Sequence, residues 1–110
     1  MIIQDLIDSN YFEVLVEGQT DRSISKVFCC DLLSIAMSKA PEGCAWVTVM
    51  GNRNTLAVSS LADVSCIILA EGVRLGDTEI DCAKDEGIAV FATELPIFDA
   101  AVKIYELESA

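Results

Sequence analysis

The chain has 110 residues, 53% of them hydrophobic, and sets seven basic against eighteen acidic side chains for a net charge of −11. That length fits one domain spanning residues 1–110, and so few cations exclude nucleic acid and anionic membrane surfaces as expected partners. Histidine is absent, which excludes Ser-His and Cys-His nucleophilic pairs as well as zinc-finger spacings. So apolar a small domain is expected to bury its surplus against a second copy.

Met1 to Ser9 spaces Ile2, Ile3, Leu6 and Ile7 along one face of a short helix. This N-terminus, Met1 to Asn10, lacks the basic start and apolar core of a signal peptide, so a cytoplasmic location is expected. Glu13–Val16 reads as a strand ended by Gly18, and Ile24–Cys30 as a second, half-buried strand. Asp31 is placed to cap a helix over Leu32–Lys39, which Pro41-Glu42-Gly43 closes.

Three apolar strands follow, at Ala45–Met50, Cys66–Ala70 and Ala89–Ala92, each running into a polar turn and then a helix. Asn52 or Asn54 caps the first of these helices, whose buried face is read as Leu56, Ala57, Val58, Leu61 and Val64. A weak capping box from Thr78 to Asp81 opens the second, and Gly87 ends it in a left-handed conformation. Pro96 starts the last, with a stripe of Ile97, Phe98, Ala101, Val102 and Tyr105. Trp46 and Phe91 are expected in the core. The pattern predicts an α/β fold with about five strands, mainly parallel, and helices on the faces of the sheet.

The five cysteines include no Cys-x-x-Cys pair, and their odd number and placement suit reduced thiols acting as small hydrophobes. No metal or cofactor is called for.

Ligands of open α/β sheets bind where the strands deliver their C-terminal turns. The turn Gly51-Asn52-Arg53-Asn54-Thr55 is the leading candidate, because helix N-terminal N–H groups and a guanidinium both suit anions. Glu71, Gly72 and Arg74, with Thr93 and Glu94, would share that crevice. Glu71 is free to pair with Arg53 or Arg74, and Asp21-Arg22 reads as a surface pair outside the site.

The stretch from about Val14 to Leu107 resembles the DRTGG domain. The likeness rests on Gly43 to Thr48 leading to Gly51-Asn52-Arg53, on Ala70-Glu71-Gly72, on Ala89 to Pro96, and on Val27 to Ser34. Asn52 stands where the family has an acid, and Ala70 and Glu71 stand for Thr and Gly. The resemblance implies a non-enzymatic regulatory module, similar in fold to the N-terminal domain of HPr kinase and to modules fused to phosphotransacetylases and CBS-type pyrophosphatases. The expected function is therefore a regulatory or adaptor domain that homodimerises and binds a small anionic, nucleotide-like or phosphate-bearing metabolite. A larger metabolic enzyme or kinase is its expected protein partner. The dimer face is expected on the first strand or the helix Leu32–Lys39. The alternatives are a small enzyme using Glu71 and Glu94 or a cysteine, and a pure protein–protein scaffold.

Overall fold

A computed structural model describes residues 1–109. In chain order the elements are α1 (Ile3–Ser9), β1 (Glu13–Val16), β2 (Val27–Cys29), α2 (Leu33–Lys39), β3 (Ala45–Thr48), α3 (Arg53–Ala62), β4 (Cys66–Leu69), α4 (Asp77–Glu86), β5 (Ala89–Ala92) and α5 (Ile97–Ser109). The five strands form one sheet in the order β1-β5-β4-β3-β2. Strands β2 to β5 run parallel, and β1 pairs antiparallel with β5 through an irregular step between Val14 and Val16.

Side-chain alternation along the central strands builds two cores. Ala45, Val47, Cys66, Ile68, Ala89 and Phe91 face α1 and α5, where they meet Ile3, Leu6, Ala100 and Ile104. Trp46, Ile67, Leu69 and Val90 face the other way, toward Ala36 of α2, Leu56 and Val58 of α3 and Ala83 of α4. Every residue of β3, β4 and β5 is buried, as parallel strands covered on both faces must be. Trp46 and Phe91 are both fully buried, and the Trp46 indole N–H donates to the Cys30 carbonyl at 2.9 Å.

Several local expectations are corrected. Strand β2 is only three residues long. Upstream of it Ile24 is buried and its N–H donates to the Met1 carbonyl, while Ser23 bridges to Ile2. Asp31 does not cap α2. Its carboxylate instead accepts from the Thr48 hydroxyl at 2.7 Å and the Val49 N–H at 3.0 Å, and Leu32 takes the capping position. No side-chain cap forms at α4, where Gly76 occupies that position.

Arg22 reaches across to Asp63 at 2.8 Å rather than pairing with Asp21. In α3 the buried face includes Thr55 and Ser59 in place of Ala57 and Leu61, the latter being 73% exposed. The α5 stripe is also turned: Ala100 and Ile104 are buried, whereas Phe98 and Tyr105 stay 74% and 66% exposed.

Candidate functional site at the C-terminal edge of the sheet

Three turns leave the C-terminal ends of β3, β4 and β5. Two of them are fastened together by backbone: the Glu71 N–H donates to the Leu95 carbonyl and the Gly72 N–H to the Thr93 carbonyl, each at 2.9 Å. This geometry needs left-handed backbone at Glu71 (φ 59°) and Gly72 (φ 77°). Glycine is the residue that adopts it without strain. A Cβ at position 72 would also stand 2.6 Å from Glu94 Oε2, so that flexible side chain would have to swing aside.

Beside these turns is an open cavity of about 320 Å³, lined by Tyr11, Glu13, Gly72, Arg74, Ala92, Thr93 and Glu94. Its one guanidinium is already engaged. Arg74 forms a two-pronged pair with Glu13, Nη1 to Oε1 at 2.6 Å and Nη2 to Oε2 at 2.5 Å. Hydrogen bonding to Arg74 holds the Glu13 carboxyl below its ordinary pKa, and the same pair, with a further contribution from Glu94, raises that of Arg74. Glu71 therefore does not hold Arg74, and two carboxylates flank one cation in the cavity.

The β3–α3 turn takes a different position. Gly51 packs so closely on the β4–α4 turn that a Cβ there would lie 2.7 Å from the Val73 side chain. Asn52 spends its side chain on the helix, its Oδ1 accepting from the Thr55 N–H at 3.1 Å. Thr55 is buried, so that N–H faces its own cap and not a crevice. Arg53 and Asn54 are exposed, and the Arg53 charge lies near enough to act on the Cys82 thiol of α4.

Of the residues singled out from the sequence, the cavity thus gathers Gly72, Arg74, Thr93 and Glu94. Glu71 is exposed beside it, and the segment Gly51 to Thr55 lies outside its lining. Tyr11 and Glu13 were missed. They enter because β1 pairs beside β5, which no local pattern in the sequence announces.

The cysteines divide by burial. Cys44 and Cys66 are buried, Cys30 and Cys82 are partly so, and Cys29 is exposed, all five being free thiols. Burial pushes the Cys44 thiol up to about 11 and raises Cys66 further. Burial and Asp31 raise Cys29, while burial and Glu86 raise Cys82. A raised thiol pKa lowers the thiolate fraction and with it nucleophilicity at neutral pH. Among the described residues no group of three or more Cys, Asp or Glu side chains is arranged to hold a metal ion, and no helix is long and apolar enough to cross a membrane.

No protein-family model matches the chain, and no curated protein matches it.

Proposed function

We propose that this chain is a cytoplasmic regulatory or adaptor domain of the DRTGG type, which works through homodimer contact and ligand-dependent association rather than by catalysis. The observation that carries this reading is the apolar side chain left outside the folded unit. Phe98 and Tyr105 on α5, and Leu32, Ile35 and Met37 at α2, are all 45% or more exposed in a chain whose charge would otherwise keep copies apart. A larger metabolic enzyme or kinase is the protein such a module would regulate.

The crevice at the C-terminal edge is the place for a small anionic metabolite, with Arg74 as its anchor. An incoming phosphate or carboxylate has to displace Glu13 from that guanidinium, so the pair acts as an internal competitor. Adenine nucleotides and acetyl phosphate are the compounds to try first. Binding only to the folded state raises the melting temperature by mass action. Glu13→Gln is expected to enlarge the thermal shift and Arg74→Ala to abolish it. If neither the natural chain nor Glu13→Gln responds to any of these anions, the ligand half of the reading falls and contact alone remains.

A further inference from the structure

We propose that the β2 edge is the homodimer interface, two copies pairing β2 to β2 antiparallel about a two-fold axis to make one ten-stranded sheet. This deepens the dimer reading above and rests on it. Strand β2 is the end of the sheet, and among the described residues it has no strand partner on its outer side. The ladder to β3 uses the Lys26 carbonyl, which accepts from the Ala45 N–H, and the Cys30 N–H, which donates to the Val47 carbonyl. By the alternation of a strand, Val27 and Cys29 turn their N–H and C=O groups outward. Those two residues are what a two-fold antiparallel pair needs, Val27 of each copy opposite Cys29 of the other with Phe28 on the axis.

Charge selects this edge over the opposite one. Self-pairing of β1 about Leu15 would set Glu13, already held by Arg74, against Glu17 of the other copy, with no opposite charge gained across the seam. Antiparallel pairing of β2 instead brings the Lys26 end of each strand beside the Asp31 end of its partner, two attractions related by the axis.

The flanking helices supply the apolar area that an edge strand alone lacks. A stable dimer buries about 800 Å² per partner, more than three residues of strand present. On one face of the sheet Phe98, Val102 and Tyr105 of α5 line a shallow groove together with Val27 and Cys29. A two-fold axis through the edge keeps α5 of both copies on the same face, so these grooves meet each other. On the other face α2 exposes Ile35 and Met37, with Leu32 just before it, and carries no acidic residue.

The test is sedimentation equilibrium of the full chain and three variants, with far-UV circular dichroism to confirm folding. Phe98→Glu puts a charge into the groove. Val27→Pro removes an outward N–H while sparing the ladder to β3. Leu61→Glu adds the same charge at an exposed apolar site on α3 that does not line the groove. The expected result is a dimer for the natural chain and Leu61→Glu, with the dissociation constant raised about thirtyfold or more in Phe98→Glu and Val27→Pro. Should one of these two misfold, the other decides. A natural chain that stays monomeric at high micromolar concentration overturns both this interface and the dimer reading. A dimer that survives both edge variants overturns the interface alone.

Discussion

The two edges of the sheet are built to opposite rules. At the β1 end, the strand carries Glu13 at its start and Glu17 just past its end, and α4 beside it bears Asp77, Glu79, Asp81, Asp85 and Glu86 against a single lysine. Like charges along an edge strand are how sheets avoid pairing with one another. At the β2 end the strand is apolar between Lys26 and Asp31, α2 has no acidic residue, and α5 leaves two aromatic rings in solvent, though it too carries Asp99, Glu106 and Glu108 against Lys103. The first edge is defended and the second is unfinished.

If the β2 end is completed only by a partner, its side chains should contribute little to the stability of the isolated chain. Phe91→Ala and Val27→Ala put this to a measurement. Phe91 is fully buried in β5, against Phe12 with ring centroids 6.4 Å apart. Its truncation is expected to cost about 3–5 kcal/mol in urea unfolding followed by the fluorescence of Trp46, the sole tryptophan. Val27 is only half buried, and its truncation at low protein concentration should cost about 1 kcal/mol or less. Equal costs would mean that the β2 end is already a closed core.

A smaller effect is expected at Asp31, which ties the unfinished end to the middle of the sheet. Its carboxylate is the acceptor for the Thr48 hydroxyl, and Thr48 is fully buried. Asp31→Ala leaves that hydroxyl without this acceptor and should cost about 1–3 kcal/mol in the same assay. Thr48→Val with Asp31→Ala should recover only part of the loss, because the orphaned hydroxyl is gone while the Val49 and Met50 N–H groups lose their side-chain acceptors. A cost for Asp31→Ala within error of zero would show that the loop after β2 is free of the sheet.

Much of this architecture was legible locally. Strands β1 and β5 have the expected bounds, and β3 and β4 stop one or two residues short of the expected ends. Asn52 and Gly87 cap as their residue types require, with Gly87 at φ 69°. The errors have a common physical source. Helix α5 is apolar on two adjoining faces, one holding Ala100 and Ile104 and the other Phe98, Val102 and Tyr105. Periodicity reports apolar positions but cannot say which the sheet covers and which it leaves for a partner. The cavity divides in the same way: Gly72, Arg74, Thr93 and Glu94 follow from the repeat, whereas Glu13 arrives from a strand that is distant in sequence.

The smallest effect belongs to the defended edge, where Glu13 and Arg74 meet in solvent. Because Arg74 lowers the folded-state pKa of Glu13, the pair's contribution is fully present above the unfolded glutamate value and is lost as pH falls through the lowered one. Arg74 is shifted upward, so its own contribution disappears only in strong alkali. Carboxyl NMR should therefore place the Glu13 titration midpoint below the ordinary glutamate value, and Arg74→Gln should return it there. Added salt should narrow the difference, since both side chains are more than half exposed. The stability gap between the natural chain and Glu13→Gln should close over the same acidic window. A normal midpoint for Glu13 would mean that the pair is open in solution. Arg74 would then be free to anchor an anion without competition, and the contrast between the two edges would rest on the β2 end alone.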